Sequence, residues 1–114
     1  MIFRFFKGRK SLDVSVFSQN FFTQFIGLMF SSPKTPIRLF SYKCDKMIRI
    51  HSFFVFYSFV IVWLDSKNKV IGHKIVRPFT TSVEPPRKFR SFIEIPLDDK
   101  YSKEVRFIVG NAKI

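Results

Sequence analysis

Apolar side chains recur at every second position in several short stretches of this chain. That spacing, more than anything else, limits what it can fold into. A strand sends successive side chains to opposite faces, so a period of two marks a strand with one dry face. Phe3 and Phe5 flank Arg4, Val14 and Val16 flank Ser15, Ile48 and Ile50 flank Arg49, and Ile93 and Ile95 flank Glu94. In each set the apolar residues are expected inward and the residue between them outward. Val105, Phe107 and Val109 continue the pattern, so the spacing predicts a last strand over 104–109. Segment 52–64 is almost wholly apolar, and its β-branched Val55, Val60, Ile61 and Val62 favour strand over helix.

The breaks between these stretches carry turn chemistry. Asp65, Ser66, Lys67 and Asn68 join VIVWLD to KVIGHKIV. The Asp and Ser side chains can bond the local backbone and Asn tolerates the left-handed conformation, which predicts a hairpin. Residues 8–12 read as the turn between the first two strands, 42–46 as a polar turn, and 97–102 as a turn or helical turn. Pro78, Pro85 and Pro86 mark a long loop over 77–87. The period changes once: Phe21 and Phe25, Phe22 and Ile26, and Phe25 and Met29 are each four apart. This predicts a helix near residues 19–26, with Ser18 as N-cap and Gly27 as its end. The expected fold is therefore mainly β: a compact antiparallel β-sandwich or barrel-like single domain over 1–114, with that one short helix. An α+β arrangement is the alternative.

Twenty Lys and Arg against eight Asp and Glu give a net charge of +12, which favours polyanionic partners. The cations form two local groups, Arg4, Lys7, Arg9, Lys10 and Arg87, Lys88, Arg90; the rest are scattered on solvent faces. Scattered charge serves solubility as readily as binding. The 17 Phe residues fall mostly at periodic positions and read as core rather than as a stacking surface. Cys44 is the one cysteine, which excludes an internal disulfide and a cysteine metal cluster. The start, MIFRFFKGRK, has neither the apolar core nor the cleavage site of a signal peptide. The apolar run 51–64 is shorter than the ~20 residues a bilayer span requires. A cytoplasmic protein without a membrane span is expected. No catalytic residue, metal site or cofactor is assigned: nothing resembles a nucleophile with its base, a set of metal ligands or a phosphate loop. A small hydrolase ranks last among the roles.

The ordered segments GLMF (27–30), RLF (38–40), IHSFF (50–54), VWLDSKNKVI (62–71), FIEIP (92–96) and VGNAKI (109–114) resemble the DUF192 family of small prokaryotic domains of unknown function. The resemblance covers about Val14 to Ile114. It implies a compact β-sandwich-like domain with a minor helix and no established enzyme activity. The chain departs from the family pattern after the HSFF-like motif. Where members carry Met, a basic residue and a Pro-Ile/Leu-Asp run, it reads Val55, Phe56, Ser58, Phe59 and Val60. Asn68 replaces the usual turn Gly, and Asn111 the Asp of a terminal Gly-Asp pair.

Two candidate sites follow. His51, with Arg49 and Phe53 on the same strand face and Asp65 or Glu94 as the candidate carboxylate partner, is the candidate ligand site, since a His near neutrality can hold an anion or move a proton. The competing reading is a histidine bonded within the sheet. Arg87, Lys88, Phe89 and Arg90 form the candidate polyanion contact, with cations on phosphate and the ring stacked on a base. The competing reading is an anchoring Phe89 between solvated cations. Cys44 beside Lys43 and Lys46 has neighbours that lower a thiol pKa, but stands in no motif. His73 lies in a hairpin strand. The sequence supports a non-enzymatic binding or accessory domain for an unidentified protein or small ligand. A nonspecific nucleic-acid-binding protein with a basic surface is the alternative.

Overall fold

The computed structural model describes residues 2–18, 37–47, 58–78 and 83–110. The strands are β1 (Ile2–Lys7), β2 (Lys10–Ser18), β3 (Ile37–Lys46), β4 (Phe59–Leu64), β5 (Val70–Val76) and β6 (Phe89–Pro96). A 3-10 turn at Asp99–Tyr101 leads into helix α1 (Ser102–Val109). The strands form one six-stranded sheet in the order β1-β2-β3-β6-β4-β5. The fold is mainly β and compact, a single curled sheet shaped as a half-barrel.

The curl follows from which side chains share a core. Phe5, Val14, Val16, Ile37, Leu39, Val60, Val62, Leu64, Ile93 and Ile95 form one buried cluster, joined at its margin by Val70 and Ile75. All six strands thus contribute to one face, which a flat sheet could not bring together. This is the inner face, and Tyr101, Val105 and Ile108 of the 3-10 turn and α1 pack against it. The two edges meet as well: the Phe6 N–H donates to the Asn68 carbonyl at 2.8 Å, and Phe6 bridges Lys69 in parallel. That contact brings β1 alongside β5 and makes a seam.

The outer face carries a second cluster of Phe40, Phe59, Ile61, Trp63, Val76, Phe89 and Phe92, with Val83 from the loop before β6 laid against it. Every residue of β4, FVIVWL, is buried, because it lies between β6 and β5 with both faces covered. A continuous apolar run is what such a position requires.

Local chemistry sets the turns. Asp65 Oδ1 accepts from the Lys67 and Lys69 backbone N–H groups at 2.8 and 3.0 Å, and Asn68 takes φ 62°. The predicted hairpin therefore forms by the predicted means. Gly8, at φ 63°, and Arg9 make a tight turn between Lys7 and Lys10, so Lys10–Leu12 belong to β2 rather than to a loop.

Three further expectations are corrected. Segment 104–109 is helix, not strand: the buried residues are Tyr101, Val105 and Ile108, a helical spacing, and Gly110 at φ 78° ends it. Lys7 Nζ donates to the Phe107 and Ile108 carbonyls and caps that end. Residues 42–46 continue β3 through a register shift between Ser41 and Lys46. The sheet is mixed rather than wholly antiparallel, since β2 and β3 pair in parallel. A parallel pair needs a crossover of a dozen or more residues, and 19–36 supply the length. The predicted helix near 19–26 lies outside the described residues.

Candidate functional site

Ladder register decides which polar groups the aromatic outer face encloses. Glu94 of β6 stands opposite Arg38 on β3 and opposite Ile61 on β4. It alternates with Ile93 and Ile95, as the spacing predicts, but its own face is covered too. Only 3% of Glu94 is exposed. Neither carboxylate oxygen has a hydrogen-bond partner, and the Trp63 Nε1–H on the same face is buried without one. Trp63 is opposite Phe92, one same-face step from Glu94. Phe40 stacks on Phe92 at 4.7 Å, and Phe89 meets Phe92 edge-on at 5.7 Å.

An isolated carboxylate in such surroundings is costly, so the group takes up a proton. Burial pushes the Glu94 carboxyl up to about 8, against the pull of the Arg38 charge. Half-buried Tyr42 is raised as well, first by burial and then by the Glu94 charge, which places its phenol within electrostatic reach. The cluster thus holds an acid that is neutral at pH 7, an indole donor, a guanidinium and a phenol, set among aromatic rings. A neutral acid both donates and accepts, so it can recognise an amide-like group; as a carboxylate it would hold a cation.

Of the sequence-predicted residues, Phe89 joins this aromatic face. His51, Arg49 and Phe53 lie outside the described residues. Asp65 is occupied by its turn, through the two N–H bonds already given. Phe89 is fully buried and packs on Phe92 and Tyr42, so its ring anchors the outer face and cannot stack on a base. Arg87 and Lys88 are exposed, while Arg90 bonds Asp45 at 3.1 Å. His73 is exposed, and its pKa is lowered by partial burial and by the charge of Lys7. Glu94 is the residue that sequence reasoning left outward. Its signal was present: Phe92 and Pro96 share its face, and the neighbouring FVIVWL run announces a strand buried on both sides.

On the other side of the sheet, an open groove of about 540 Å³ runs beside α1, lined by Leu97, Asp98, Ser102, Val105 and Arg106 among others. Asp98 accepts from the Lys100 N–H and caps the 3-10 turn there. Among the described residues no three His, Cys, Asp or Glu side chains are grouped to hold a metal ion, and no helix is long and apolar enough to cross a membrane.

No family model and no curated protein matches the chain. Two solved structures share the fold. One, from Sinorhizobium meliloti 1021, is described as a "putative transcription regulator"; it is 12% identical with a TM-score of 0.70, over 82% of this chain and 77% of that one. The other, from Novosphingobium aromaticivorans DSM 12444, is a protein of unknown function; it too is 12% identical with a TM-score of 0.70, over 90% of this chain and 75% of that one. At this identity the likeness establishes the curled sheet and nothing about activity.

Proposed function

We propose that this chain is a non-enzymatic binding domain of the cytoplasm, a divergent relative of the DUF192 family, whose ligand or partner is held at the outer face around Glu94; that carboxyl is enclosed in the free protein, so binding opens the face. The observation that carries the reading is the Glu94 carboxyl, fully buried with neither oxygen bonded, on the same face as an unbonded indole N–H. Buried polar groups are nearly always paired, and an unpaired, pKa-shifted acid is a mark of functional sites. The aromatic surroundings suit a flat apolar body, and the neutral acid suits an amide.

Two-dimensional NMR titration with benzamide and its cationic analogue benzamidine tests this. At pH 6, benzamide is expected to move backbone resonances of β3 and β6 in the wild type and not in Glu94→Met, with benzamidine weaker. If neither probe moves those resonances while Glu94→Met is simply more stable, the carboxyl is a structural feature and the reading fails.

A further inference from the structure

Part of each of the two local groups of cations, Arg9 with Lys10 and Arg87 with Lys88, is carried in the fold by segments that adjoin one strand, β5. The backbone bond from Phe6 to Asn68 and the parallel bridge from Phe6 to Lys69 lay the end of β1 along the start of β5, so the β1–β2 turn with Arg9 and Lys10 follows Lys69 along that strand. From the outer side, the loop before β6 rests on β5. A Cβ built on Gly72 would lie 2.6 Å from Pro86 Cγ, so this loop packs directly on the glycine and carries Arg87 and Lys88 with it. Lys74 lies on β5 itself. Arg9, Lys10, Lys67, Lys69, Lys74, Arg87 and Lys88 are all exposed. The Arg4–Asp13 and Arg90–Asp45 ion pairs do not involve these seven. Of the nearby acids, Asp65 is turned to the backbone of its own hairpin, and Glu84 is exposed on the loop that carries Arg87 and Lys88.

We propose that the seam along β5 is a nucleic-acid-binding surface that reads the phosphate backbone without base discrimination. The seven residues of β5 span about 23 Å at ~3.3 Å per residue, some two-thirds of a turn of duplex DNA. Phosphate contact needs cations spaced along a ridge and nothing more. An anionic membrane surface would also call for apolar side chains to insert. The exposed large apolar residues among those described are Ile2, at the far end of β1 from its turn, and Met47. A protein interface would carry an aromatic core, and none is exposed here. Base stacking is not expected, because Phe89 is buried. This surface is independent of the Glu94 site.

The test is fluorescence anisotropy of a labelled 24-base-pair duplex, across 50–200 mM salt, with two unrelated sequences. With about four to five phosphates contacted, log affinity is expected to fall with log salt at a slope near −4, roughly a 250-fold loss across that range. Lys67→Gln/Lys69→Gln and Arg87→Gln/Lys88→Gln should each flatten the slope by about 2 and weaken binding by at least about tenfold. Lys100→Gln/Lys103→Gln, with the same change of net charge on the 3-10 turn and α1, should leave both values near wild type. Circular dichroism of each variant guards against misfolding. The proposal is overturned if the wild type does not bind at 50 mM salt, or if the control pair weakens binding as much as the seam pairs. It is also overturned if vesicles containing phosphatidylserine are bound and the duplex is not.

Discussion

Replacing Glu94 by glutamine should remove a pH dependence of stability that runs opposite to that of most carboxylates. In the unfolded chain a glutamate ionises near 4.5, whereas burial raises Glu94 in the fold to about 8. Between those values the folded state holds a proton that the unfolded state has released. Stability is therefore fully present below about pH 4.5, falls as pH rises, and levels off above about pH 8. The slope approaches ~1.4 kcal/mol per pH unit, or about 2.7 kcal/mol between pH 5.5 and 7.5. That is a large part of the 5–15 kcal/mol typical of a domain. Urea unfolding at several pH values measures it, and with a slope of ~1–3 kcal/mol per molar the midpoint should drop by about 1–3 M. His73, whose pKa is lowered in the fold, pulls the other way, and subtracting the Glu94→Gln curve cancels it. The variant should be flatter than wild type over this range and more stable at pH 7.5. A wild type whose stability rises with pH as steeply as that of the variant would refute the argument that Glu94 is buried as an acid.

Gly72→Ala should destabilise the fold by about 1–3 kcal/mol in urea unfolding, since the new Cβ would sit 2.6 Å from Pro86 Cγ and the ring must give way. An unchanged midpoint would mean that the loop before β6 does not rest on β5. Ile108→Ala should cost about 2–5 kcal/mol, because that side chain is fully buried under α1. Were 104–109 a strand with Val105 and Val109 inward, Ile108 would face solvent and its truncation would be nearly neutral.

What was legible in the sequence was local. The Asp65–Asn68 turn, the strands on either side of it and the inward Ile93 and Ile95 follow from side chains acting on their own neighbourhood. The helix over 102–109 was hidden because Val105, Phe107 and Val109 mimic a strand, while the residues that matter, Tyr101, Val105 and Ile108, fit only a helical period. Gly110 was the signal that could have decided it. The parallel pairing of β2 with β3 joins segments that no local pattern relates. Alternation placed Glu94 off the inner face but could not say that the outer face is also covered; only the neighbouring β4, apolar throughout, hinted at it. The charge looked dispersed along the chain because the contacts that gather it, Phe6 on Asn68 and Pro86 on Gly72, are tertiary.

The central claim is that the sheet curls until β1 meets β5, which creates the inner core, the covered outer face and the basic seam together. The most direct measurement is the nuclear Overhauser contact between the Phe6 amide and the Asn68–Lys69 backbone, read with the exchange rate of that amide. A cross-peak on a proton protected from exchange is the expected result, given the 2.8 Å bond from Phe6 to Asn68. A Phe6 amide that exchanges as in an unstructured peptide, with no contact to Asn68 or Lys69, would contradict it.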